Sequence, residues 1–483
     1  MLGRLIITRL VTVSLTVPIG SSVAFFFSPL SRVAPPTPLL SFGMNPTLRR
    51  TARRTYHAAV GHEASEHKIP SSFTETPQKR PRKASQQHPR DEGPTPIIAP
   101  STPDLADPQR LTYEKVPEIP SSHSSNDGFV DLNVPPAEFR PSASLTTGQS
   151  FHWKPLTPQD NPTSSAWGAH DATDWIGTLR VAASNDSLVV HVRETPETTL
   201  YKVLHAPTNL NVDALLRDYF QLHIPLGELY QSWSEACPRL RQIAECIPGV
   251  RMLQQDPWET LISFICSANN NIPRITKILA ALRQEYGRRI DLKSSNKGTE
   301  EPVFTFPSLQ ELRSKATEAD LRRLGWGYRA RYVMQTMEIL HNLGGERYLT
   351  DLREKESDPI VVQEALLQFA GVGRKVADCI ALFSLRQTKA IPVDVHVWNI
   401  AQRDYCAALA NVKSLTPSVY KQVGDIFRSR FGDYAGWAHS LLFVAELPSF
   451  RPVLPQSIIQ EMDSFRELEQ KRKQELKQSK TKA

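Results

Sequence analysis

Apolar positions along this chain change their period twice. Up to about residue 120 they follow no period. That segment holds 17 of the 38 prolines with many Ser and Thr, and it cannot bury enough apolar surface to offset chain entropy, so it reads as disordered. From about Asp127 to His205 the apolar residues come in short β-rich runs. Trp175 to Leu179 and Ser187 to Val192 flank the turn residues Ser184-Asn185-Asp186, which predicts a small antiparallel sheet. From about Asp213 the spacing is helical. Asp256-Pro257-Trp258-Glu259 opens one helix, with Asp256 as the cap, Pro257 in the first turn and Glu259 completing a capping box. Leu261, Ile262, Phe264 and Ile265 form its buried face, and the polar run Cys266 to Asn271 ends it. Another helix ends near Gly344-Gly345. Gly432 to Leu447 is the last core helix, and a further one starts near Ile458. The expected fold is α+β: a disordered extension (1–120), an antiparallel sheet domain (121–210), a helical domain (211–450) and a basic C-terminal tail (451–483). No internal repeat is present.

The densest chemistry lies between Leu366 and His396. Val361, Val362, Ala365 and Leu366 recur at helical spacing, Gly371-Val372-Gly373 makes a tight turn, and Val376, Ile380 and Phe383 mark one face of a second helix. Helix, Gly-x-Gly hairpin and helix present backbone N–H groups to a phosphate, and Gly lets a nucleic-acid backbone approach closely. Lys375 sits in the first turn of the second helix. A cation is disfavoured there, so the neutral, nucleophilic amine is expected to gain. About twenty residues on, Asp394 in Pro392-Val393-Asp394-Val395-His396 is placed to cap the next helix as a carboxylate. Taken singly, a surface Lys and an N-cap Asp carry no function. Together beside a phosphate-gripping hairpin, they point to chemistry on DNA.

Charge adds less than the net value of +7 suggests. Residues 1–120 hold 15 Lys/Arg against 9 Asp/Glu and residues 461–483 hold 7 against 5, whereas 121–460 hold 35 against 36. The body is not basic overall, so a grip on DNA has to come from local clusters and backbone dipoles. Five widely spaced cysteines fit reduced, intracellular thiols. No C-x-x-C pair occurs, so no iron–sulfur cluster is expected.

GVGRKVADCIALFSL followed by PVDVHVWNIAQRDY resembles the helix-hairpin-helix DNA glycosylases, and among them the 8-oxoguanine DNA glycosylase/AP lyase family, over roughly Asp127 to Leu447. The resemblance implies a bifunctional enzyme of base-excision repair, with Lys375 as the nucleophile and Asp394 as its electrostatic partner. It implies that the Gly148 carbonyl, in Gly148-Gln149-Ser150-Phe151, accepts the N7 hydrogen that oxidised guanine has and guanine lacks. Cys379 and Phe443 would lie on opposite faces of the flipped base. The family's base-edge Gln is His439 here, and its usual Pro before the hairpin is Ala370. A neutral His offers a donor and an acceptor, as Gln does, at a different distance. Asn269, Arg274 and Arg329 would contact the estranged cytosine, Tyr328 would act as the wedge, and Gly371, Val372, Gly373 and His396 would touch the DNA backbone.

The implied partner is double-stranded DNA containing an oxidised guanine, bound by a monomer without a cofactor or metal and without a membrane. Whether a cation sits on the hairpin carbonyls is left open. Two rivals stand beside this reading. A sister glycosylase for another damaged base would in some cases lack the Lys, and a non-enzymatic helix-hairpin-helix module would have no use for Lys375 with Asp394. Seven Arg and no acidic residue precede Glu63, as in a mitochondrial presequence. A signal peptide over Leu5 to Phe27 and a start at Met44 are alternatives. Lys79-Arg80-Pro81-Arg82-Lys83 fits either a nuclear localisation signal or a solvated charge run. The nucleus is the expected compartment, with the mitochondrion left open.

Overall fold

A computed structural model describes residues 127–156, 173–181, 186–292, 302–356, 358–412 and 414–481. The proline-rich extension and both targeting segments lie outside these residues, as does most of the Ser184-Asn185-Asp186 turn.

The first layer is a five-stranded sheet in the order β1-β5-β4-β3-β2. Its strands are β1 (Val130–Asp131), β2 (Lys154–Leu156), β3 (Asp174–Arg180), β4 (Ser187–Glu194) and β5 (Thr199–His205), and all neighbours run antiparallel. The two expected strands are its centre, paired from Asp174↔Arg193 to Arg180↔Ser187. Alternation puts Trp175, Leu179, Leu188, Val190 and Val192 on one buried face. That face is covered by α1 (Pro141–Ser144) and α2 (Val212–Tyr219), whose Leu216 and Tyr219 join the same cluster. Gly177 lies under the Trp153 ring, where a Cβ would come within 2.4 Å of it.

The second layer is helical. α3 (Leu226–Ala236) and α4 (Pro238–Cys246) lead to α5 (Pro257–Ser267), the buried centre of the domain. α6 (Ile272–Tyr286) and a two-stranded hairpin of β6 (Arg289–Ile290) and β7 (Val303–Phe304) follow. Next come α7 (Leu309–Lys315), α8 (Glu318–Arg323), α9 (Arg329–Asn342) and α10 (Glu346–Lys355). The hairpin pair is α11 (Pro359–Leu367) and α12 (Arg374–Ser384). It is followed by α13 (Val395–Ile400), α14 (Pro417–Phe431), α15 (Ala435–Glu446) and the long α16 (Gln456–Thr481). The C-terminal segment is thus a helix, anchored by buried Ile458 and Met462.

Two details differ from the sequence pattern. Asp256 does cap α5, accepting from the Glu259 N–H at 2.8 Å, but Glu259 does not close a capping box. Its carboxylate turns inward to Arg283 and to His152, 3.1 Å away, because a buried guanidinium must be paired. In α11, Val362 and Leu366 are buried, whereas Val361 and Ile360 face solvent.

Sheet and helical layer are tied by charge and by amide side chains. Arg180 of β3 reaches Asp256 and Glu346, each at 2.8 Å. The loop before α5 bonds to the end of α12: Gln255 N–H to Phe383 O at 3.0 Å, and Gln254 Nε2 to Ser384 O at 2.9 Å. Phe264 of α5 stacks on Phe383 at 5.6 Å. α12 is therefore held from below before any substrate arrives.

Burial alone would raise the Glu259 carboxyl, but Arg283 and His152 hold it down at about 2. A depressed carboxylate stabilises the fold above its unfolded value and loses that contribution as pH falls through the folded one. Replacing Glu259 by Gln strands Arg283 in the core and is expected to cost about 3–5 kcal/mol by urea unfolding at neutral pH. The variant is also expected to lose less additional stability than wild type between pH 4.5 and 2. Equal acid sensitivity of the two proteins would refute the pairing.

Candidate active site

Asp394 does two things with one carboxylate. Oδ1 accepts from the His396 and Val397 N–H groups at 2.9 and 3.1 Å and so caps α13. Oδ2 faces Lys375, with Nζ 3.8 Å away. The hairpin thus delivers Lys375 from α12 to a carboxylate fixed from the opposite side. Gly371 takes φ +80, and a Cβ there would meet Tyr332 at 2.6 Å, so glycine is required by conformation and by space. A Cβ on Gly373 would touch nothing within 4 Å; that side is open for a phosphate. No side chain caps α12, which leaves its first N–H groups for an outside acceptor.

Of the residues expected to form the base pocket, Cys379 and His439 lie within electrostatic reach of the same pair. Gly148 has φ +89, and a Cβ would lie 3.0 Å from Ile272 Cδ1. Its neighbour Gln149 is locked: Nε2 donates to Ser144 O and Arg251 O, Oε1 accepts from Leu253 N–H, and its carbonyl accepts from Gln255. Cys379 is buried one turn after Lys375. Phe443 and His439 share one face of α15, and the Phe443 ring lies edge-on to His396 at 6.0 Å. His439 is buried, with Nδ1 donating to Gly436 O at 3.2 Å. That bond fixes the tautomer, so Nε2 carries only a lone pair, and it has no hydrogen-bond partner. The expectation that His439 offers both a donor and an acceptor is corrected: it offers an acceptor alone.

The residues expected to wedge the stack and contact the cytosine form a second cluster. Tyr328 is exposed and bonds Ala268 O at 3.3 Å. Asn269, at φ +50, is exposed in the turn between α5 and α6, and Arg274 is exposed in the first turn of α6. Arg329 departs from its expected place. It is buried and bonds Ala268 O, Asn269 O and Trp326 O, bracing the Asn turn against the Tyr328 turn instead of projecting outward. Tyr328 lies edge-on to Tyr332 at 5.8 Å, and Tyr332 packs on Gly371, so wedge and hairpin touch through one ring.

Comparison with known proteins fits this geometry. Residues 131–261 match the 8-oxoguanine DNA glycosylase N-terminal domain, and residues 262–416 match the HhH-GPD superfamily base excision DNA repair protein. The chain is 35% identical over 393 residues to the N-glycosylase/DNA lyase OGG1 of Arabidopsis thaliana, covering 80% of this chain and 96% of that one. The chain belongs to the N-glycosylase/DNA lyase family. The Saccharomyces cerevisiae N-glycosylase/DNA lyase is also 35% identical, over 345 residues, covering 66% of this chain and 86% of that one. Among solved structures, the Clostridium acetobutylicum 8-oxoguanine glycosylase/lyase bound to double-stranded DNA with cytosine opposite 8-oxoG superimposes with TM-score 0.52. The two are 27% identical over 65% of this chain and 92% of that one.

This N-glycosylase/DNA lyase binds DNA and has two activities, release of a base and cleavage at the abasic site. The expected nucleophile, Lys375, is stored charged. The Cys379 sulfur and the Asp394 carboxylate raise Lys375 above the ordinary lysine value, against burial that lowers it. Burial pushes the Cys379 thiol itself up to about 11, so at neutral pH it is uncharged and Asp394 is the operating partner. The expected gain of the neutral amine at the helix N-terminus is therefore reversed: a whole carboxylate 3.8 Å away outweighs the partial charge of the helix end. Burial also depresses His439 to about 4, so it is neutral at physiological pH.

Two features were not visible in the motifs, the Gln149–Gln255 fastening and a buried Asp378–Tyr420 pair. Both join residues far apart in sequence, and only the buried carboxylate one turn after Lys375 gave a local sign. Among the described residues no cluster of His, Cys, Asp or Glu is arranged to hold a metal ion, and no helix is long and apolar enough to cross a membrane.

An ammonium nucleophile gives a definite pH dependence. Below its pKa, the neutral fraction of Lys375 rises about tenfold per pH unit. The single-turnover rate of covalent trapping is expected to climb with a slope near one from about pH 6 to 9. In Asp394→Asn the rise is expected at lower pH, with a maximal rate about 10²-fold below wild type. A flat profile in wild type would refute an ammonium resting state.

Proposed function

We propose that the enzyme excises 8-oxoguanine opposite cytosine and cuts the strand through a Schiff base on Lys375. The pairing of Lys375 with Asp394, the residue that caps α13, carries this reading. The target nucleotide is flipped out, because C1′ cannot be reached while the base is stacked. Lys375 gives up its proton to solvent, which leaves Asp394 ionised beside it. The amine attacks C1′ as the base departs with the bonding electrons. Asp394, held in place by α13, stabilises the positive charge that builds on the sugar. Ring opening gives the imine. Loss of a C2′ proton then expels the 3′ phosphate by β-elimination, and hydrolysis frees Lys375.

Recognition of the base follows from the pocket. The Gly148 carbonyl accepts N7–H, which only the oxidised base carries. Gln149, bonded through both ends of its side-chain amide, anchors the loop that carries Gly148, which favours selection by one hydrogen bond. Cys379 and Phe443 enclose the ring. His439 Nε2 suits the N1–H and N2–H donors of guanine, after side-chain movement exposes it, because it is sealed in this conformation. Tyr328 wedges into the stack, and Asn269, Arg274 and Arg329 face the cytosine once Arg329 exchanges its carbonyl partners for the base. Gly371, Val372, Gly373 and His396 hold the backbone phosphates. The working species is a monomer acting in the nucleus, a reading supported by the basic cluster Lys79 to Lys83.

Borohydride trapping on a duplex with 8-oxoguanine opposite cytosine tests the reading. Wild type is expected to give a covalent adduct, and Lys375→Gln none, with duplex affinity retained. Changing the opposite base from cytosine to adenine is expected to slow the reaction about tenfold or more, since each lost bidentate contact is worth about 1–3 kcal/mol. Base release without an adduct would remove Lys375 from the mechanism. Equal rates opposite every base would remove the cytosine contacts.

A further inference from the structure

Asp378 has no step in the chemistry above, yet it is a buried, doubly bonded carboxylate one turn from Lys375, 7% exposed. Oδ1 accepts from Gln363 Nε2 of α11 at 2.7 Å, and Oδ2 accepts from the Tyr420 hydroxyl of α14 at 2.5 Å. The same hydroxyl oxygen accepts from the Val393 N–H at 3.2 Å and lies 3.2 Å from Ile391 O. Val393 immediately precedes Asp394. Arg374 and Arg428 are the cations acting on Asp378, and burial still pushes it up to about 6. Tyr420 also walls a cavity of about 290 Å³ with Gly373, Lys375, Val376 and Val393. The hydroxyl therefore stands where α12, α14 and the 391–394 segment leading to Asp394 converge.

Burying a carboxylate is unfavourable, and here it is used to orient one hydroxyl. That hydroxyl ties the helix carrying the nucleophile to the segment carrying its counter-ion. We infer that Asp378 and Tyr420 are positioning residues for the Lys375–Asp394 pair, their hydrogen bond setting the separation of amine and carboxylate through Val393. The inference rests on the Schiff-base reading of Lys375. Without the hydroxyl, the 391–394 segment gains freedom along the Lys375–Asp394 direction. A displacement of about 1 Å at a reacting group can cost as much as 10²-fold in rate. A more distant Asp394 also raises Lys375 less, so the amine becomes neutral at lower pH.

The test is single-turnover borohydride trapping with the full chain on the 8-oxoguanine·cytosine duplex from about pH 6 up to the bend of the profile near the lysine value, with duplex affinity and melting temperature measured alongside. Tyr420→Phe keeps the ring and removes the hydroxyl. It is expected to slow trapping about tenfold or more at saturating duplex and to move the pH profile to lower pH, with affinity unchanged. Asp378→Asn keeps an oxygen for the hydroxyl and an amide that Gln363 can meet by turning its own. It is expected to lose less than about threefold. Tyr420→Phe matching wild type in rate and profile would overturn the inference. So would a rate loss that merely follows lost affinity and melting temperature with no shift in the pH profile. Failure of wild type to form an adduct would overturn the Schiff-base reading and the inference with it, and the wild-type lane separates that result from a Tyr420 effect.

Discussion

One carboxylate facing two ways is the constraint around which the site is built. Asp394 caps α13 with one oxygen and opposes Lys375 with the other, and the two roles reinforce each other. The cap bonds take up one oxygen and immobilise the group, so no reorganisation is needed when positive charge develops on the sugar. Everything nearby fixes where that carboxylate meets the amine. α12 is held from the sheet side by Gln255, from the core by the Phe264–Phe383 stack, and from α14 by Tyr420. The hairpin sets the entry angle, because Gly371 alone lets Tyr332 pack against the turn.

This organisation explains why the sheet layer belongs to the catalytic unit. The glycine whose carbonyl is to read the base lies in a loop before β2, far in sequence from Lys375. Gln149 fastens that loop to residues 251–255, and those residues bond the end of α12. Recognition on one layer and chemistry on the other are therefore joined by a short chain of amide hydrogen bonds between buried groups, which water does not weaken.

Much of this was legible in the sequence for physical reasons. Period-two runs marked the central strands, proline marked the extension, and Gly-x-Gly beside a helical Lys marked the hairpin. Local rules failed where a distant partner outcompeted them. Glu259 has the spacing of a capping box, but Arg283, from another helix, claims its carboxylate. Lys375 sits where a helix dipole should favour the neutral amine, yet a carboxylate some twenty residues on decides its charge. Arg329 has the look of an exposed reader, but the carbonyls of a turn sixty residues upstream hold it. Tyr420 carries no motif at all, and its significance comes from Val393 and Asp378 meeting at one hydroxyl.

The resting charge on Lys375 also bears on selectivity of another kind. A cell contains many free aldehydes and ketones, including open-chain sugars, and any accessible neutral amine condenses with them. An ammonium does not. On the proposed mechanism, an ion pair that keeps the proton on Lys375 would guard the amine until the sugar arrives. The nucleophile stays unreactive toward small metabolites, although its side chain is 38% exposed.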